Sequence, residues 1–169
     1  LGIVLTKRNN GSSYVELAGF PYHSIDTYLP KLVKAGQRVA ICEQLEDPSK
    51  TKKIVKRGVI EVITPGTSTS DKILENNKSN YLASIFFENE DECGLSLLEL
   101  STGEFLVAEG TVEYIENLVS TFKPSEIIYS KTKQEQYKKI FGNRYYTFLL
   151  EEWLYTFDYA YEKLLNHFG

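Results

Sequence analysis

The chain begins with short apolar stretches separated by turn residues. Gly2 to Thr6 is an apolar, β-branched run, and Tyr14 to Leu17 is a second one after the "NNGSS" turn. The period then changes. Ile25, Tyr28, Leu29, Leu32 and Val33 recur at i, i+3, i+4, i+7 and i+8, which predicts an amphipathic helix over Ser24 to Ala35 with Gly36 as its C-terminal cap. Pro30 lies inside that helix, removes one of its hydrogen bonds and predicts a bend. "RVAIC" and "GVIEVIT" return to strand patterns, with "PSKTKK" as an exposed loop between them. "TPGTSTSDK", Thr64 to Lys72, reads as a turn followed by a linker.

Beyond that break, "YLASIFF", "CGLSLLEL" and "GEFLVAE" are three strand patterns joined by short turns, an antiparallel meander. Val112, Ile115, Leu118, Val119 and Phe122 mark one face of a helix. "EIIYS" is a short buried strand, Gln134 to Phe141 a short helix, and "YYTFL" another strand. Trp153, Phe157, Tyr161, Leu164, Leu165 and Phe168 have helical spacing, so this aromatic face is expected to be core and not a base-stacking platform. The order βββαβαβα predicts a mixed sheet with helices packed on it, the ribonuclease H-like topology. The fold class is therefore α/β, with an α+β first domain of short strands around one helix and a ribonuclease H-like second domain.

At 42% hydrophobic and 25% charged, the 169 residues have the composition of a soluble globular protein large enough for two small domains, expected at 1–66 and 67–169. The net charge of −4 hides an asymmetry. Residues 1–67 carry ten Lys/Arg against six Asp/Glu, a net +4, whereas residues 68–169 carry nine against seventeen, a net −8. The first half tolerates a polyanion, and the second does not have the charge of a phosphate-backbone binder. No apolar run approaches a membrane span and no signal peptide is recognisable, so the expected location is the cytoplasm, with Cys42 and Cys93 as reduced core thiols. The opening "LGIVLTKR" lacks a Met, as if cut from something longer.

Candidate chemistry in the second half is sparse. A metal-dependent nuclease of this topology needs clustered carboxylates. The strand Tyr81 to Phe87 has none, Glu126 stands at the entrance of "EIIYS", and Glu99, Glu113 and Glu116 are expected to be solvated. His23 and His167 are the only histidines, which excludes a His-rich zinc site, and there is neither a Gly-rich phosphate loop nor a GxSxG. The lysine-rich "KTKQEQYKK" reads as a solvated surface. In the first half, Lys7 and Arg8 follow the first strand, and Lys50, Lys52, Lys53, Lys56 and Arg57 form a second basic cluster; either group suits phosphate contacts that position without reading sequence. Gly19 and Pro21 make a tight turn, Tyr22 is placed to stack or donate its hydroxyl, and His23 or Ser24 to cap the helix, whose free N-terminus would attract phosphate. On these residues alone, DNA contact and plain structural roles for the turn are evenly matched.

"LTKR", "LAGFPYHSIDTYLPKLVKAGQRVAICEQLEDP" and "VITPGT" together resemble the MutS family of mismatch-repair proteins, and the resemblance continues through "LSLLELSTGEF" to the end. It implies most of an N-terminal mismatch-binding domain followed by a connector domain that is ribonuclease H-like without nuclease activity. It also implies that the family's Phe-x-Glu reading motif lies upstream and its ATPase downstream, so that this piece is not an enzyme and holds no cofactor or metal; ATP and Mg²⁺ belong to the full-length parent. The DNA-contact residues it implies are Lys7, Arg8, Leu17, Ala18, Gly19, Tyr22 and His23, with Leu17 as an apolar wedge. Implied partners are mismatched double-stranded DNA, bound weakly by the piece alone, a MutL-type protein through the connector, and self-association of the parent, with no membrane. The competing expectations are a ribonuclease H-type nuclease and a protein-interaction module without DNA binding.

Overall fold

The computed structural model describes residues 2–47, 49, 54–68 and 79–169. The chain divides into two compact units, Leu1–Ile63 and Thr64–Gly169.

In the first unit β1 (Leu5–Asn10) and β2 (Ser13–Ala18) form an antiparallel hairpin. Its turn uses Gly11 in the left-handed region at φ 76°, where a side chain would be strained. β1 starts three residues later than its apolar run suggests and takes Lys7 and Arg8 into the strand, because pairing across the turn, and not apolarity, sets its bounds. A 3-10 turn, Tyr22–Ser24, leads into α1 (Ile25–Lys34), which continues through Pro30. Neither His23 nor Ser24 caps it with a side chain; the Ser24 N–H bonds the Pro21 carbonyl at 2.9 Å within the 3-10 turn that precedes the helix. At the other end Gly36 (φ 76°) closes a Schellman motif, with Gln37 N–H on Leu32 O at 3.0 Å and Gly36 N–H on Val33 O at 2.8 Å. β3 (Val39–Gln44) and β4 (Arg57–Ile63) pair antiparallel, with a register shift between Ile41 and Cys42. Cys42 is exposed, contrary to its expected place in a core. Lys50, Lys52 and Lys53 of the second basic cluster lie outside the described residues, as do Thr69 to Lys72 of the expected linker.

The second unit carries β5 (Tyr81–Phe87), β6 (Glu92–Glu99), β7 (Glu104–Thr111), α2 (Val112–Phe122), β8 (Glu126–Ser130), α3 (Gln134–Phe141), β9 (Thr147–Leu150) and α4 (Phe157–Phe168). The sheet order is β7-β6-β5-β8-β9, antiparallel through the meander and parallel from β5 to β8 and β8 to β9. This is the mixed sheet the element order predicts. Period-two alternation places Tyr81, Ala83, Ile85, Phe87, Cys93, Leu95, Leu97, Ile127 and Tyr129 on one buried face, which Ile115 and Val119 of α2 and Tyr137 and Phe141 of α3 cover. Thr111 caps α2 by accepting from the Tyr114 N–H at 3.3 Å.

Two expectations fail here. The last helix is broken: Glu152–Tyr155 is a 3-10 turn, and extended backbone at Thr156 separates it from α4. Its aromatic face is not core. Trp153, Phe157, Tyr161, Leu164, Leu165 and Phe168 are 50% to 78% exposed, and α4 buries no residue. The helical period is real, but α2 and α3 already cover the core face, leaving α4 contacts such as Phe168 on Phe105, 6.2 Å between ring centroids. "KTKQEQYKK" is likewise not wholly surface: Lys131 pairs with Glu151, while Tyr137 is 1% exposed and stacks on Tyr129 at 4.1 Å.

Candidate nucleic-acid interface

The β1–β2 register decides which of the sequence candidates share a surface. Directly paired residues lie on one face, and successive residues alternate. Thr6 pairs with Leu17 and Arg8 with Val15, so Arg8, Leu17, Val15 and Thr6 share a face. Lys7 pairs with Glu16, Leu5 with Ala18 and Asn9 with Tyr14, on the opposite face. Lys7 and Arg8 are thus not a pair of cations at a strand end; they point to opposite sides of the hairpin, and Lys7 faces a carboxylate-bearing neighbour. Leu17 and Val15 are each half exposed, and the Thr6 hydroxyl donates to the Leu17 carbonyl at 2.8 Å, fixing that end of the ladder. The Arg8 face therefore combines a cation with two exposed apolar side chains.

Ala18 ends β2 on the Lys7 face, and Gly19 follows it with no described residue within 4 Å of where a β-carbon would stand. Tyr22 and His23 lie in the 3-10 turn, both exposed. The Tyr22 hydroxyl donates to Glu43 Oε1 at 3.3 Å, which ties the turn to β3. Phe20 stacks on Tyr28 at 4.5 Å, so the aromatic beside the turn that is engaged with α1 is Phe20.

The acidic candidates are occupied by the fold. Glu99, 8% exposed, accepts from the Asn80 N–H at 3.4 Å and from the Ser101 and Thr102 hydroxyls at 3.2 and 3.0 Å. Glu126, 3% exposed, accepts from the Thr64 hydroxyl and from the Gly66 N–H at 3.1 Å. Glu99 is not the solvated group expected, and Glu126 is buried as well. Glu116 pairs with Arg144 at 2.7 Å, and Glu113 lies in the first turn of α2. Among the described residues no group of three His, Cys, Asp or Glu is placed to hold a metal ion.

Sequence reasoning missed the arrangement around Glu126. Thr64, Gly66 and Ser68 are buried, and the Asn80 amide donates to the carbonyls of Pro65 and Ser68, each at 3.0 Å. "TPGT" is the expected turn, and its docking against Glu126 and Asn80 is what the sequence did not show. The available signal was a lone acidic residue opening "EIIYS", an otherwise apolar strand, which calls for a buried partner.

Comparison with known proteins agrees with the arrangement in both units. Residues 1–72 match the model of MutS domain I and residues 80–169 that of MutS domain II. Over 99% of this chain, a DNA mismatch repair protein MutS from Cytophaga hutchinsonii is 54% identical, one from Flavobacterium psychrophilum 56% and one from Bacteroides fragilis 50%. The chain spans about a fifth of the length of these relatives, 19–20%. A two-unit chain with a hairpin followed by a GFPYHS turn and helix, a five-stranded mixed sheet, and family matches over both units belongs to the MutS family of mismatch-repair proteins.

Proposed function

We propose that this chain is the DNA-contact and connector portion of a longer, cytoplasmic, ATP-dependent mismatch sensor that self-associates and passes its signal to a MutL-type protein. The observation that carries the DNA half is the Arg8 face of the hairpin. Arg8 contacts a backbone phosphate, while Leu17, on the same face one pair along, lies against the groove beside distorted base pairs. Lys7, opposite Glu16, lies away from that contact. Gly19, Tyr22 and His23 line the approach, with Tyr22 braced by Glu43, whereas Ala18 shares the Lys7 face. ATP and Mg²⁺ are held by the other four fifths of the longer protein. The sequence has no Gly-rich phosphate loop, and among the described residues no three His, Cys, Asp or Glu are placed to hold a metal ion.

The test is duplex binding by the longer protein, with a G·T mismatch and with the matched homoduplex. Tighter binding of the mismatch supports the reading; equal binding of both contradicts it. This chain alone is expected to show little preference, because it holds one part of the reading surface.

A further inference from the structure

We propose that the outer edge of β9 docks an extended peptide strand carrying an apolar residue and, two positions along, a carboxylate. This stands independently of the DNA contact proposed above. The sheet order leaves β9 bonded on one side only, to β8. The Ile127 N–H bonds the Tyr146 carbonyl at 2.9 Å, and the register pairs Ile127 with Thr147 and Ile128 with Phe148. In a parallel ladder of that phase Phe148 turns both its N–H and its carbonyl toward β8. The N–H and carbonyl groups of Thr147 and Leu149 then point outward, and no backbone bond to them is made by a described residue. An open edge by itself accepts any strand; the surroundings of this one narrow the choice.

A cavity of about 370 Å³ lies beside the edge, lined by Thr147 and Leu149 of β9, Tyr129 of β8, Tyr137 and Lys138 of α3, and Asn143 of the following loop. Leu149 packs on the core cluster, so alternation puts the Thr147 and Leu149 side chains on the α3 side of the sheet. A strand added outside β9 has alternate side chains on that same side. Its backbone bonds give affinity, and the side chain that enters the cavity gives selectivity. Charge sets the sign of the next side chain on that face. Residues 131–144 carry five Lys/Arg against one Asp/Glu, in a half of the chain whose net charge is −8. Lys131 and Arg144 are paired with Glu151 and Glu116, whereas Lys138 and Lys139 are exposed and have no ion-pair partner among the described residues. An acidic segment is therefore attracted here although the domain as a whole repels one. A second copy of this chain fits less well. Antiparallel pairing of two β9 edges about a two-fold axis puts both α3 helices, with the same lysines, on one side of the joined sheet, where like charges meet.

The test titrates the longer protein into a fluorescent synthetic peptide, Thr-Val-Thr-Phe-Thr-Glu-Val-Thr, and reads its anisotropy. Binding is expected, with hydrogen exchange slowed at the Thr147 and Leu149 amides and unchanged at that of Phe148. Lys138→Glu, a surface change, should weaken binding by about fivefold, the upper scale for an exposed ion pair. The same variant should prefer the peptide with Lys in place of Glu. Thr147→Pro removes an outward N–H without touching the ladder to β8 and should abolish binding; if that variant does not fold, the charge exchange at Lys138 decides alone. No binding at about 1 mM peptide overturns the inference. So does equal affinity of wild type and Lys138→Glu for the acidic peptide. Self-association of the protein that Thr147→Pro abolishes would give the edge to a second copy and overturn it as well.

Discussion

The Gly66 N–H donates to Glu126 Oε2 at 3.1 Å, and the same glycine lies so close that a β-carbon would stand 2.9 Å from the Glu126 Cβ. The two residues are 60 positions apart in sequence. Their contact explains why a Pro-Gly turn can be buried: the peptide is close enough to be satisfied by the carboxylate only because glycine has no side chain. Gly66→Ala inserts a methyl group where neither neighbour has room, and overpacking of this kind costs about 1–3 kcal/mol. The expected result is a lower melting temperature of the second unit, read by thermal denaturation; an unchanged midpoint would show that the turn yields freely.

Tyr137 gives a pH prediction with a definite sign. Its side chain is 1% exposed, and its hydroxyl has no hydrogen-bond partner among the described residues. Burial, reinforced by Tyr129 and Tyr145, pushes its ionisation well above the ordinary phenol value of 10.0. In the unfolded chain the phenol ionises at its ordinary value, so above about pH 10 the unfolded state releases a proton that the folded state keeps. Stability is fully present below that pH and falls as pH rises toward the folded-state value. Tyr137→Phe removes this contribution. Denaturant titrations from about pH 9 to about pH 11 should show a shallower alkaline loss in the variant; parallel loss in both proteins would contradict the assignment.

Near neutral pH the same substitution separates a hydrogen-bonded tyrosine hydroxyl from an unpartnered buried one. Tyr81 donates to Glu104, whereas Tyr137 donates to nothing described. Removing a satisfied hydroxyl costs about 1 kcal/mol, and removing an unsatisfied one costs nothing or stabilises. Tyr81→Phe is therefore expected to lower the denaturation midpoint and Tyr137→Phe to hold or raise it. The reverse order would mean that the two hydroxyls have been assigned the wrong partners.

Most of the second unit was legible because its strands alternate cleanly and its helices carry one apolar stripe each. "YLASIFF" became β5 and Gln134 to Phe141 became α3 without adjustment. What was not legible depended on distant partners. The stripe of α4 predicts burial, but burial also requires an uncovered surface, and α2 and α3 already occupy the core face. Glu99 and Glu126 look like surface acids until Asn80 and Thr64 are brought beside them from far along the chain. The candidate interface was half legible. Arg8 is a candidate from its own charge and place in the sequence and Leu17 from the resemblance, but only the hairpin register shows that they share a face and that Lys7 does not.

The buried acids also bear on the nuclease alternative. Both Glu99 oxygens and Glu126 Oε2 accept from hydroxyls or backbone N–H groups, so both carboxylates already serve structural bonds at positions where a nuclease would hold metal ions. Incubation of this chain with duplex and Mg²⁺ or Mn²⁺ is expected to yield no cleavage. Robust turnover that Glu99→Gln abolishes would sink the non-enzymatic assignment.

The central claim is that the Arg8 face of the β1–β2 hairpin meets DNA, and the salt dependence of duplex binding by the longer protein tests it most directly. Each phosphate contact contributes about 0.9 to the slope of log K against log salt. Arg8→Ala should weaken binding to mismatched and matched duplexes alike and flatten that slope by roughly this amount. Lys7→Ala, altering the opposite face, should run parallel to wild type. A slope unchanged by Arg8→Ala, or flattened equally by Lys7→Ala, would contradict the placement of DNA on that face.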